Sequence, residues 1–189
     1  MKYRIYKPNP KNTGCAATVD IAKIGDDSVS NLFISMIQQK GWDNAKKTGS
    51  FSGGKDINFK LSVAEAGEMV SSIKSRIPFV AFHKFKDDST IIRFVPWEQN
   101  RNVKEKNGDV NYKTPAWSLS VKRNGSDVFR LPISSGESQV LNVLLKKFIA
   151  DSLIDTSEQD VRERAKKASA PAKRTNTNAP EEDNNDPPF

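Results

Sequence analysis

The chain has 189 residues, 36% of them hydrophobic and 28% charged, with a formal net charge of +7. That length suits one well-buried domain with an appended tail, and a lone Cys15 and a lone His83 exclude an internal disulfide, a thiolate zinc cluster and a multi-histidine metal site. The basic start MKYRIYKPNPK has no apolar core behind it, and no apolar run reaches roughly 18 residues, so a soluble cytoplasmic protein without a membrane role is expected.

The charge is unevenly placed. Residues 181–189 hold four acids and no Lys or Arg, so the residues before them carry 30 basic against 19 acidic side chains, a surplus of +11. A basic body with an acidic end is the asymmetry of a nucleic-acid binder.

Residues 1–15 are basic and broken by Pro8, Pro10 and Gly14, which predicts an N-terminal arm with a short strand at Tyr3–Tyr6. Ala16–Ile24 alternates weakly and Leu32–Ile37 is a denser apolar run, and both are expected as strands. Lys46–Phe51 is expected to pair with Lys55–Leu61 through Gly53-Gly54. In that second segment Lys55, Ile57, Phe59 and Leu61 alternate with Asp56, Asn58 and Lys60, the pattern of a half-buried strand. Ser62 then stands three residues before Glu65, a reciprocal capping arrangement that predicts a helix over Val63–Ser75, and Pro78 forbids its continuation. Gly49–Lys55 resembles a phosphate-binding loop, but Asp56 replaces the magnesium-ligating Ser or Thr and a strand follows instead of a helix.

The order then repeats. Pro78–Lys86 reads as a strand, Asp87-Asp88-Ser89 as a turn and Thr90–Trp97 as the returning strand, while Gln99–Tyr112 reads as a polar, basic loop. Pro115–Arg123 and Ser126–Leu131 form a hairpin closed by Asn124-Gly125. A second helix starts near Ser135, with Leu141, Leu144, Leu145 and Phe148 at helical spacing, and Ser157–Lys167 can prolong it as a charged, exposed segment. Phe59-Lys60-Leu61 is echoed by Phe129-Arg130-Leu131, Val63 by Ile133, and Glu65 by Glu137 after a two-residue insertion. The expected fold is α+β, a ββββα unit used twice with two four-stranded antiparallel sheets. The expected organisation is the arm at 1–15, a binding domain at 16–154, a flexible linker at 155–180 too poor in apolar residues to order itself, and an acidic interaction tip at 181–189.

No catalytic set stands out. His83 lies between Phe82 and Lys84 on a strand and reads as a sheet residue, and Asp87-Asp88 read as a turn, so the chain is expected to be no enzyme and to need no cofactor. What recurs is a cation beside an aromatic. Lys and Arg meet phosphates and release counterions, and aromatic faces stack unpaired bases. Lys55, Lys60, Lys84, Lys86, Arg93, Arg101, Lys113, Lys122, Arg123 and Arg130 are the candidate phosphate contacts, and Trp42, Phe82, Trp97 and Trp117 the candidate stacking surfaces. Phe59, Leu119, Val121 and Leu131 are assigned to the core. At the end of the chain Glu181, Glu182, Asp183 and Asp186 precede Pro187, Pro188 and Phe189, an acidic segment that can compete with DNA for a basic groove and present a terminal aromatic carboxylate to a partner.

Two resemblances follow from these residues. FKLSVAEAG at 59–67, FHKFKDDSTIIRFVP at 82–96, WSLSVKRNG at 117–125 and FRLPISSGE at 129–137 make residues 16–150 similar to the Whirly group, itself related in fold to the transcriptional coactivator positive cofactor four. The resemblance implies two four-stranded sheets, each followed by a helix and packed crosswise, that bind single-stranded DNA along sheet surfaces and between protomers with little sequence preference. It implies a homo-oligomer, a dimer or tetramer, and the plant group's KGKAAL element is absent, so nothing beyond a tetramer is implied. The tail resembles the tip of bacterial and phage single-stranded DNA-binding proteins, which usually ends Ile-Pro-Phe; here Pro187 stands in the Ile position and Asn184-Asn185 dilute the acids. It implies a phage or bacterial protein of replication, recombination or repair that recruits partners through its tail. The rival readings are a five-stranded oligonucleotide-binding barrel of the same function, and a transcription cofactor or RNA-binding protein on the same scaffold.

Overall fold

Alternation of apolar and polar side chains closes two antiparallel sheets, and each then hands the chain to a helix. The structure, a computed structural model, describes residues 1–23, 30–106, 108–125 and 127–169. In chain order β1 (Lys2–Lys7), β2 (Cys15–Lys23), β3 (Ser30–Gln38), β4 (Gly41–Asp43), β5 (Thr48–Ser50) and β6 (Asp56–Leu61) lead to α1 (Val63–Ser75). They are followed by β7 (Phe79–Phe85), β8 (Asp88–Glu105), β9 (Gly108–Arg123), β10 (Asp127–Ser134) and α2 (Ser135–Ser169). The first sheet has the order β1-β2-β3-β6 and the second β10-β9-β8-β7, while β4 and β5 form a separate two-stranded hairpin inserted between β3 and β6. Two open four-stranded sheets leave no place for the five-stranded barrel of the rival reading.

Four of the sequence-based expectations need correction. The strand expected at Tyr3–Tyr6 spans Lys2–Lys7 and pairs along its whole length with β2, so the segment expected as an arm is a strand of the first sheet. Lys46–Phe51 does not pair with Lys55–Leu61; β5 pairs with β4, and β6 lies against β3 with Leu32 opposite Leu61. The glycines explain this. Gly53 takes φ 71°, Gly54 donates to the Phe51 carbonyl at 3.1 Å, and a Cβ at Gly54 would collide with the Gln38 carbonyl oxygen, so the turn delivers the chain beside β3 instead of folding it back. Residues 99–112, expected as a loop, are a ribbon in which β8 and β9 stay in register from Gln99↔Thr114 to Glu105↔Gly108. Finally the backbone of α2 runs through the extension expected over Ser157–Lys167 to Ser169, so residues 155–169 of the expected linker are helix. The rest of that linker, the Ile24 end of the second strand, and the tip at 181–189 lie outside the described residues.

The core takes the inward set from each sheet. Leu32, Ile34, Met36, Ile57, Phe59 and Leu61 come from the first sheet, and Ile92, Phe94, Leu119, Val121 and Leu131 from the second. α1 adds Ala66, Met69 and Ile73, and α2 adds Leu141, Leu144, Leu145 and Phe148. Phe59, Leu119, Val121 and Leu131 are buried as expected.

The two sheet-to-helix joints are built alike. At the first, the Ser62 amide and hydroxyl each donate to Glu65 Oε2 at 2.8 Å, and the Glu65 amide donates back to Ser62 Oγ at 3.2 Å. At the second, Ser134 and Glu137 repeat this at 2.8, 2.8 and 3.5 Å. Ser62 thus corresponds to Ser134 and Glu65 to Glu137 with unbroken spacing, which makes Leu61 the counterpart of Ile133 and Phe59 that of Leu131. The echo read from Phe59-Lys60-Leu61 to Phe129-Arg130-Leu131 is two residues out of step, and the insertion it required is absent. The other carboxylate oxygen of each cap meets a side-chain nitrogen of the opposite sheet. His83 Nε2 of β7 lies 2.6 Å from Glu65 Oε1, and Lys7 Nζ of β1 lies 2.6 Å from Glu137 Oε1.

These partners set the pH behaviour of the fold. Burial raises the carboxyls, but the hydrogen bonds from Ser62 and His83 to Glu65, and from Lys7 and Ser134 to Glu137, outweigh it and hold both below the ordinary value of 4.5. A carboxylate with a lowered folded-state pKa contributes stability above its unfolded value and loses it as pH falls through the folded one. Urea unfolding followed from about pH 7 to about pH 3 is expected to show an acid loss of stability that is smaller in the Glu65→Gln/Glu137→Gln double variant; an undiminished loss would refute the assignment. Ser62→Ala and Ser134→Ala are each expected to cost about 1 kcal/mol in the same measurement.

Candidate nucleic-acid interface

Because side chains alternate across a strand, each sheet has an inward and an outward set. On the second sheet the strand register lines the outward set up in rows. Val80, Arg93, Ser120 and Arg130 form one row, and Phe82, Ile91, Lys122 and Val128 the next. Lys84 follows on β7 opposite Ser89, and Ser118 and Pro132 lie on the other side. Lys84, Arg93, Lys122 and Arg130 are all exposed, and none has an ion-pair partner among the described residues. Phe82 is 61% exposed among them. A shallow depression of about 280 Å³ is lined by Ile91, Arg93, Ser120, Lys122, Val128 and Arg130. Described outward positions from Val80 to Val95, and their partners on β9 and β10, carry no carboxylate.

The outward face of the first sheet differs. Lys2 Nζ is 3.2 Å from Asp20 Oδ2, and Asp56 stands on the same side at the β6 edge, so positive and negative charges mix there. A polyanion finds a uniform attractive field only on the second sheet.

The structure therefore sorts the predicted site residues. Phe82, Lys84, Arg93, Lys122 and Arg130 share the open face of the second sheet. Lys60, on the outward side of β6 opposite Phe33, meets Arg123 at the seam between the two sheets, in a cleft of about 350 Å³. Lys86 sits in the β7–β8 turn at φ 53° with Nζ 5.5 Å from the Phe85 ring centroid. Trp97, 40% exposed, stands at the root of the β8–β9 ribbon, where its carbonyl accepts from Arg76 Nη2 at 3.0 Å. Arg101 and Lys113 lie farther out on opposite faces of that ribbon, Arg101 across from Tyr112 and Lys113 3.5 Å from Glu98. Lys55 is exposed just before β6, and Trp42 is half-buried in the β4–β5 hairpin; neither joins the cationic face. The tail residues Glu181, Glu182, Asp183, Asp186, Pro187, Pro188 and Phe189 lie outside the described residues.

Trp117 is a correction. It is only 3% exposed, stacks on Phe94 with ring centroids 6.4 Å apart, and carries the Arg76 guanidinium 5.3 Å above its ring. It shares the inward parity of Leu119 and Val121, so it is core and cannot stack a base. Its sequence spacing from those two residues was the signal.

Two structural features were not read from the sequence. Phe85 is 73% exposed although it has the parity of buried Ala81, because the strand end carries it past the core. His83, read as a plain sheet residue, is one, but it also reaches the α1 cap. Cys15 offers no chemistry: burial pushes its thiol up to about 11, against hydrogen bonds with the backbone of Ile37 and Arg130.

No family model matches the chain, and no curated protein matches it. Solved structures do. WHY1 from Arabidopsis thaliana superimposes with a TM-score of 0.53 at 21% identity, over 80% of this chain and 90% of that one. WHY3 from the same plant gives 0.53 at 17%, over 88% and 96%, and the plant transcriptional regulator PBF-2 gives 0.52 at 15%, over 85% and 86%. The chain thus has an α+β fold of antiparallel sheets and two helices similar to that of the Whirly proteins.

Proposed function

We propose that this chain is a non-enzymatic single-stranded DNA-binding protein that coats exposed strands with little sequence preference. The observation that carries this reading is the open face of the second sheet, where Lys84, Arg93, Lys122 and Arg130 lie on the same side as Phe82 with no described carboxylate among them. Cations there neutralise phosphates and the aromatic stacks a base, a combination that serves any sequence. In the same reading the protein is a homo-oligomer of bacterial or phage origin working in the host cytoplasm during replication, recombination or repair. The tail, from Glu181 to Phe189, competes with DNA for the basic face and recruits other proteins of those processes. The likeness to a plant transcriptional regulator supports a second reading, a transcription factor on the same scaffold. Competition between random and promoter strands separates the two, and competition between DNA and RNA oligomers of one sequence tests the RNA-binding alternative.

Fluorescence anisotropy on an oligothymidine strand is expected to show affinity falling steeply with salt. Removing one cation that neutralises a phosphate should lower the slope of log K against log salt by about 0.7, so Arg93→Ala/Arg130→Ala should lower it by about 1.4. A flat dependence in the parent, or an unchanged slope in the variant, removes the open face from the mechanism. Deleting Asp183–Phe189 is expected to leave the affinity equal or higher in the same assay. Weaker binding after that deletion contradicts the competing tail.

A further inference from the structure

Resting on the single-strand reading, we infer that the seam between the two sheets is a second subsite, which takes one unstacked nucleotide of the bound strand with its base on Phe85. The cleft lies where β6, the last strand of the first sheet, faces β7, the last of the second. Its walls include Lys60, His83, Phe85, Asp88, Thr90 and Arg123, and its volume of about 350 Å³ is within the range of small-ligand sites.

Each wall group has a fitted role. Among the described residues Phe85 is the most exposed large apolar side chain, and Lys86 stands over its ring at 5.5 Å without lining the cleft. A base entering from the cleft therefore meets an aromatic face, and Lys86 leaves the site electropositive. Arg123 is held in place by donating to the Asn58 carbonyl at 3.0 Å and to Thr90 Oγ1 at 3.4 Å, so its charge is positioned before any ligand arrives. Lys60 supplies a second cation from the opposite wall. The acid of the cleft, Asp88, is engaged by Asn124 Nδ2 at 2.7 Å, which moderates its repulsion of a phosphate. His83 is held by Glu65 at 2.6 Å and shapes the floor.

The path to this subsite is continuous with the open face. Along β7, Phe82 and Lys84 point outward while His83 and Phe85 point to the seam, and no further strand of the second sheet lies beyond β7. A strand crossing the rows from Arg130 through Lys122 to Phe82 runs off the sheet at this edge, and the next aromatic and cationic groups are Phe85, Lys60 and Arg123. A flat face only stacks bases in series; the seam would turn one base inward.

The test is anisotropy and 2-aminopurine fluorescence on the full chain, with 2-aminopurine placed singly along an oligothymidine strand. Phe85→Ala is expected to weaken binding roughly five- to hundredfold and to abolish the quenching of one probe position, while Phe85→Trp restores both. As Phe85 is outside the core, thermal melting should be unchanged in both variants. If Phe85→Ala binds within twofold of the parent while Arg93→Ala/Arg130→Ala is impaired, the seam subsite is wrong and the open-face reading stands. If neither variant is impaired, both are wrong.

Discussion

The relative placement of the two sheets depends on a reciprocal pair of contacts at the helix starts. Glu65 caps α1 at the end of the first sheet and is gripped by His83 from the second; Glu137 caps α2 at the end of the second sheet and is gripped by Lys7 from the first. Each carboxylate divides its oxygens between two tasks, one satisfying the orphan amide and hydroxyl of the cap and the other accepting from the opposite sheet. Apolar burial supplies most of the free energy that holds the layers together, but it is non-directional. Short, part-buried, charge-assisted contacts of fixed geometry are what specify one angle between them. The seam takes its shape from that angle.

Charge segregation follows from the same alternation. The outward positions of the second sheet carry cations with small hydroxyls between them, and none of these cations has an ion-pair partner among the described residues. On the first sheet Asp20 pairs with Lys2 and the chain terminus, so its outward face is largely self-neutralised. Leaving several like charges unpaired on one sheet lowers the stability of the isolated protein, a cost that a polyanionic ligand would relieve.

Much of this was legible in the sequence, and the failures have physical causes. The cap at Ser62 and Glu65 was readable because it needs a fixed spacing, and the strands of the second sheet because Ile92, Phe94, Leu119, Val121 and Leu131 alternate with polar residues. The outer halves of β8 and β9 were unreadable for the converse reason. A ribbon exposed on both sides has no buried set to produce a period, so it looks like a loop. β4 and β5 were obscured by length, since three-residue strands carry no periodicity. The repeat was misaligned because identity of Phe and Leu outweighed the caps, although the capping geometry is the stricter constraint. Phe85 escaped a parity rule that holds inside a sheet and lapses at strand ends, where inward-pointing side chains emerge from the core; Arg123, of the same parity, was legible from its charge.

In the proposed function the open face meets a strand through guanidinium, ammonium, hydroxyl and aromatic groups, and no Asn or Gln stands in its rows to read a base edge in two places. Cations seek phosphate, which every nucleotide offers, and a phenyl ring accepts any base. In that reading the face binds with little sequence preference. The seam is different, because it is concave and bounded on several sides by fixed polar groups, including the carbonyl-anchored Arg123 and the Asp88 carboxylate. In that proposal a base that fits between these groups is favoured over one that does not, so any base preference is expected at the seam, while the open face sets how tightly all strands are held.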